Sequence, residues 1–188
     1  MNAHDMDESS LNGKFAILEA MNELCETRPF SRLSVVDIAK KAGISRSNFY
    51  YHFTDRNDAV RWLSRLAFSR GIDKIGRTLG WRDGHFATTH LLSKYKPLIV
   101  AASEDSDYSS AMRFFLRHRK ATLCQTLSDR GIELTDELLF QIEALAASEQ
   151  YMTISYLRGE LGELEPLTFS DLLDGIVPDA LRRAIELE

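Results

Sequence analysis

The sequence predicts an all-α protein, and three observations carry that expectation. Apolar residues recur at i, i+3, i+4 and i+7 along most of the 188 residues, with no stretch alternating as a half-buried strand does. Helix starts and stops are marked by Ser, Thr or Asp before the periodic runs and by Gly or Pro after them. Two short helical segments meet at Gly43, a helix, a tight turn and a second helix in succession.

In order, a first helix is expected from about Ser10 to Thr27, with Phe15, Leu18, Ala20, Met21 and Leu24 on one side. Pro29 ends it, because the residue before a proline is pushed out of the helical region. Ser34 can cap the next helix, with Asp37 in its first turn and Val35, Ile38, Ala39 and Ala42 on its apolar face. Gly43 stops it, and Ser45 caps a second short helix that Thr54-Asp55 breaks. Asp55 can cap a long helix to about Leu79, followed by a loop over 80–84. Further helices are expected at 85–102, at 107–130 (stopped by Gly131), at 136–160 (capped by Thr135) and at 169–187, where Pro178 kinks or restarts the chain.

Composition narrows the class. At 44% hydrophobic and 27% charged, the chain reads as a soluble globular protein. No apolar run approaches the roughly 18 residues of a membrane span, so no membrane partner is expected. The opening MNAHDMDESS is neither a secretory signal nor a transit peptide, so a cytoplasmic location is expected. Cys25 and Cys124, far apart in apolar segments, are expected to be reduced, packed thiols. The net charge of −5 is unevenly spread: residues 31–70 hold eight Lys and Arg against three Asp, while the rest holds 15 basic against 25 acidic residues. A basic segment on an acidic body suggests that one module meets a polyanion.

The stretch SRSNFYYHF, residues 45–53, says how. At 100° per residue, Phe49 and Phe53 share an inner face, whereas Ser47, Asn48 and Tyr51 point away from it and Tyr50 and His52 lie on its flanks. In a helix-turn-helix the second helix enters the DNA major groove. Arg46 can then donate twice to guanine, Asn48 can pair with adenine or hold a phosphate, and Ser47 allows close approach. Tyr50 and His52 can clamp phosphates on either side, Arg56 can hold another, and Ser34 with the free amides at its helix start one more.

Residues 33–60, LSVVDIAKKAGISRSNFYYHFTDRNDAV, resemble the DNA-binding signature of TetR-family transcriptional regulators. Ser34, Ile38, Ala39, Ala42, Gly43, Ile44, Ser45, Phe49, Tyr50, His52, Phe53 and Arg56 stand in register with the family pattern. Val36 departs from it, where some members place a polar residue for an extra base contact. The resemblance implies two modules: a DNA-binding domain over 8–54 and a C-terminal helical domain over 55–188 that dimerises and carries a ligand pocket. The DNA-binding set is then Ser34, Ser45, Arg46, Ser47, Asn48, Tyr50, Tyr51, His52 and Arg56.

One short helix reads few base pairs, so a homodimer on a pseudo-palindromic operator of double-stranded DNA is expected. Two apolar stripes could form its interface: Leu138, Ile142, Leu145, Met152 and Tyr156, and Leu172, Leu173, Ile176, Leu181 and Ile185. They could equally fill the subunit's own core. Trp81, Tyr95, Tyr108, Met112 and Phe115 form an aromatic- and Met-rich set that could line a pocket for a small-molecule effector; Arg113, Arg117, His118, Arg119 and Lys120 could attract an anionic effector but read rather as a solvated face that pairs with the acidic remainder. The expected protein is a dimeric repressor released by an effector. The alternative is a DNA-binding regulator, an activator included, whose C-terminal domain senses a protein partner. No H-E-x-x-H, G-x-S-x-G, P-loop or dinucleotide fingerprint occurs, so neither an enzyme, a metal site nor a cofactor is expected.

Overall fold

Local punctuation and apolar spacing build the elements. The computed structural model describes residues 8–105 and 108–185. Ten α-helices lie among them: α1 (Glu8–Cys25), α2 (Val35–Lys41), α3 (Arg46–His52), α4 (Arg56–Arg70), α5 (Trp81–Ser93), α6 (Lys96–Ser103), α7 (Tyr108–Asp129), α8 (Asp136–Arg158), α9 (Pro166–Gly175) and α10 (Asp179–Ile185). Single 3-10 turns sit at Phe30–Arg32 and Ile72–Lys74, and no strand of a sheet occurs among the described residues.

The chain forms two units, one of residues up to Ser64 plus Tyr95–Asp105, the other of Arg65–Lys94 and Ser106 onward. In the first, α1 packs on α2, α3 and α6 around buried Ile17, Leu18, Met21, Ile38, Phe49, Phe53, Leu63 and Leu98. Asn22 fixes α6 by accepting from the Leu98 backbone N–H at 3.1 Å, one of the donors that a helix start leaves free. In the second unit α7 packs on α8 and α5 on α9, around Phe68, Phe115, Leu127, Ile142, Leu145, Phe169 and Leu173.

Three boundaries differ from expectation. α4 ends at Arg70 rather than Leu79: Gly71 leaves the helical region (φ −132°, ψ −94°), and the freed Ile72 N–H donates to the Thr88 hydroxyl at 2.9 Å. The expected loop at 80–84 is the first turn of α5, with Gly80 at its N-cap. The helix expected over 85–102 is two helices, because the chain breaks at Tyr95 (φ −115°, ψ 32°) and Pro97 is tolerated only in a first turn. Near the C-terminus the chain restarts after Pro178, as one of the two expected outcomes had it.

The apolar stripes also need correcting. Ile142, Leu145, Leu173, Leu181 and Ile185 are buried within the second unit, because α7 and α5 already cover those faces. Of the expected stripes, Leu172 on α9 and Ile176 just after it are left in solvent, and Phe140 (75% exposed) and Tyr151 (64%) on α8 join them.

In the basic face over Arg113–Lys120, one member, Arg119, is corrected. Arg119 is fully buried. Its guanidinium donates to both carboxylate oxygens of Glu149 at 2.7 and 2.8 Å, and to the Ile72 carbonyl at 3.0 Å. His85 Nε2 meets the same carboxylate at 2.8 Å, and the Trp81 ring centroid lies 5.6 Å from the guanidinium carbon. Burial alone pushes the Glu149 carboxyl up. The Arg119 charge and the hydrogen bonds from His85 and Arg119 outweigh it and hold that carboxyl down at about 2. His118 and Lys120 pair with Asp73 and Glu143, each at 2.8 Å.

Candidate nucleic-acid interface

The first unit builds its polar surface from two capped helices. The Ser34 hydroxyl accepts from the Asp37 backbone N–H at 3.1 Å and donates to the Asp37 carboxylate at 2.7 Å. That side-chain bond is the main reason the Asp37 carboxyl sits below its usual range. Gly43 carries the turn with φ +68°, a left-handed conformation at no cost to a residue without Cβ. Ser45 then caps α3, accepting from the Asn48 N–H at 3.1 Å and sharing a 2.8 Å hydrogen bond with the Ser47 hydroxyl.

Phe49 and Phe53 are buried, so the opposite face of α3 is in solvent. Arg46, Ser47, Asn48, Tyr50 and Tyr51 are all exposed, Tyr51 at 77%. Ser34, Val36, Lys40 and Lys41 are exposed on and beside α2. The result is a ridge of hydrogen-bonding tips on a short helix fixed by a two-phenylalanine anchor. Its chemistry suits base edges and phosphates: a forked cation, an amide, hydroxyls and stiff phenols.

Two residues of the expected set are placed otherwise. His52 lies against α1: a Cβ at Gly13 would run into its imidazole, and its Nδ1 is buried without a partner. Lys14 donates to the His52 carbonyl at 3.2 Å and sits over the Phe53 and Trp62 rings at 4.6 and 5.2 Å. Burial, and then the Lys14 charge, hold the His52 imidazole below its ordinary value. His52 therefore docks α3 onto α1 instead of reaching outward. The unfolded chain takes up a proton more readily than the folded one, so stability should fall as pH drops below the ordinary 6.5 of histidine. Thermal unfolding at pH 7.5 and 5.5 checks this, and His52→Gln should reduce the difference.

Arg56 is the second. Its guanidinium donates to the carbonyls of Leu33 at 3.0 Å and Ser31 at 3.3 Å, covers the Phe30 ring at 5.0 Å and lies 3.9 Å from Asp105. These partners commit it to the corner before α2. Arg56→Ala should lower stability by about 1–3 kcal/mol through the lost charged hydrogen bonds. With Arg56 held by these partners, the slope of log affinity against log salt for Arg56→Ala should stay at the unsubstituted value, and a slope flattened by about one unit would place Arg56 in the phosphate set.

Of the expected pocket residues, Phe115 lines a cavity in the second unit, Trp81 is buried over Arg119, and Met112 is half-buried. Tyr95 belongs to the first unit, and the side chain of Tyr108 lies outside the described residues. The buried His85, Arg119 and Glu149 escaped the sequence reading. A signal existed, since Arg119 stands four residues from both Phe115 and Leu123, and Glu149 continues the Ile142–Leu145 stripe.

A capped helix, a glycine corner and an outward-facing second helix define a helix-turn-helix DNA-binding module. The pattern described as "Bacterial regulatory proteins, tetR family" matches residues 17–60, which hold this module. Over this segment the chain is similar to the DNA-binding module of that family. Among its relatives, the HTH-type transcriptional regulator EthR of Mycobacterium tuberculosis is 46% identical over 50 residues, covering 27% of this chain and 23% of EthR. The HTH-type transcriptional regulator AlkX of the same organism is 31% identical over 71 residues, covering 38% of this chain and 34% of AlkX. The chain thus matches 23% and 34% of these two relatives' length. Both relatives are transcriptional regulators by name. Among solved structures, the dihydroxyacetone kinase operon activator DhaS shares the fold with a TM-score of 0.64 and 22% identity, over 93% of this chain and 96% of DhaS.

Proposed function

We propose that the protein binds a pseudo-palindromic operator as a homodimer in the cytoplasm, represses transcription there, and leaves the DNA when a small effector occupies its second unit. The observation that carries the reading is the solvent-facing set Arg46, Ser47, Asn48, Tyr50 and Tyr51 over buried Phe49 and Phe53. One such helix reads too few base pairs to stand out among a genome's non-specific sites, and a two-fold dimer doubles the reading.

The dimer needs a self-complementary apolar face. Phe140, Ala144, Ala147 and Tyr151 are exposed at i, i+4, i+7 and i+11 on α8, so they form one stripe. Leu172 on α9 and Ile176 just after it add apolar surface, and the start of α9 is tied to the end of α8 by the Tyr156–Phe169 ring stack at 4.2 Å. Such a patch on a soluble protein marks an interaction surface, and small alanines between two rings allow a second α8 to approach. Release follows from the ligand's preference for one of two conformations. α4 supplies a covalent route, since it carries Phe68 at the cavity and runs unbroken from Arg56.

Ala147→Glu puts a charge into that stripe without touching the DNA-binding face. Sedimentation should show a dimer for the unsubstituted protein and a monomer for the variant, with operator affinity at least a hundredfold weaker. A variant that stays dimeric and keeps its affinity contradicts this interface. A reporter carrying the operator upstream reads the sign: deletion of the protein should raise expression.

A further inference from the structure

We infer that Val36 reads a thymine: its two methyl groups pack on the 5-methyl group of that base in each half-site of the operator. The inference rests on the operator reading above and adds a second reading point, on α2, to the ridge of α3. Val36 is 51% exposed in the first turn of α2, turned away from the buried Ile38 and Ala39. At 100° per residue it shares a line with Lys40 and Gly43, the corner from which α3 leaves. That line is about 10 Å long at 1.5 Å per residue, shorter than the roughly 12 Å width of a major groove. An α3 seated in the groove therefore brings the start of α2 within reach of its edge.

The fold makes no use of the exposed part of Val36. A side chain left in solvent adds no core, and a β-branched residue is a poorer helix former than the Ala, Lys or Glu that such a position admits. Valine offers a stiff apolar tip instead. A helical backbone holds its χ1 almost entirely in one rotamer, so both methyls are presented before any partner arrives and little side-chain entropy is lost on binding. The turn that carries it is fixed as well, because the Ser34 hydroxyl accepts from the Asp37 N–H at 3.1 Å and donates to the Asp37 carboxylate at 2.7 Å. Asp37 stands next in the chain, and Arg28, at 3.8 Å, offsets its charge. Lys40, exposed one turn on, adds a cation to the same line and suits a phosphate.

Chemistry selects the base. In the major groove guanine, adenine and cytosine present hydrogen-bonding groups, and thymine alone adds a methyl. An isopropyl group against one of the other three strips water from donors or acceptors without replacing it. Against thymine it buries apolar surface on both sides. A deoxyribose also offers carbon to a valine, but the sugar is the same in every sequence and such a contact carries no base preference.

The test uses the full-length protein and the operator that it selects. Each thymine in turn is replaced by deoxyuridine in both half-sites, which removes the methyl and leaves every hydrogen-bonding group in place. One symmetric position should weaken binding about fourfold for each half-site, and so roughly tenfold for the pair, through the loss of one buried methyl apiece. At that position Val36→Ala should bind the thymine and deoxyuridine operators equally, while its response at the other thymines matches that of the unsubstituted protein. Val36→Ile, which keeps an apolar tip, should retain the discrimination, and far-ultraviolet circular dichroism should show both variants as helical as the unsubstituted protein. The inference is overturned if no thymine shows the loss, or if Val36→Ala shows it undiminished, the result expected where Val36 meets a sugar or another side chain meets the methyl. A selection that yields no operator rejects the operator reading and this inference with it. An operator whose thymine response is indifferent to Val36 rejects this inference alone.

Discussion

Glu149→Ala is expected to cost about 3–5 kcal/mol of folding stability, because it strands the Arg119 guanidinium in a site with no exposure. Against the roughly 5–15 kcal/mol that holds a typical protein folded, this is a large fraction. The loss is specific to breaking the pair. Arg119→Met combined with Glu149→Leu removes both charges and fills the space, and such exchanges are often neutral or stabilising. The double variant should therefore recover most of what the single variant loses. Urea unfolding followed by near-ultraviolet circular dichroism measures both. A single variant within about 1 kcal/mol of the unsubstituted protein would mean that water reaches Arg119, and the buried network would lose its structural role.

Arg46→Ala should have the largest effect on function. The side chain is exposed in the first turn of α3, the part of a recognition helix that contacts base edges. Removing a bidentate contact to guanine costs about 1–3 kcal/mol per base pair, so two half-sites together lose about 2–6 kcal/mol. That is a fall in affinity of roughly thirtyfold or more. The loss should be confined to the base pair that Arg46 reads, with preference relaxed there and kept elsewhere. Binding to a set of singly substituted operators measures it. Equal weakening on every sequence would assign Arg46 to the phosphates instead.

The helix-turn-helix was legible because its determinants are local. Ser34, Ser45 and Thr135 each cap the helix expected of them, through a bond to the backbone N–H three residues on. The exposed and buried faces of α3 follow from seven consecutive residues and the helical period. His52 and Arg56 belong to the same stretch, yet their polar atoms answer to Gly13, Ser31 and Leu33, which only the fold brings near. For the same reason the apolar stripe of α8 gave no sign of which side faces solvent until α7 was in place. The break at Tyr95 was masked by the apolar run that follows Pro97.

Selection from a random double-stranded DNA library at moderate salt tests the central claim most directly. The account predicts enrichment of one pseudo-palindrome, with half-sites about one helical turn apart and a guanine in each that Arg46→Ala no longer selects. A library that emerges unenriched, while the protein is folded, would contradict it.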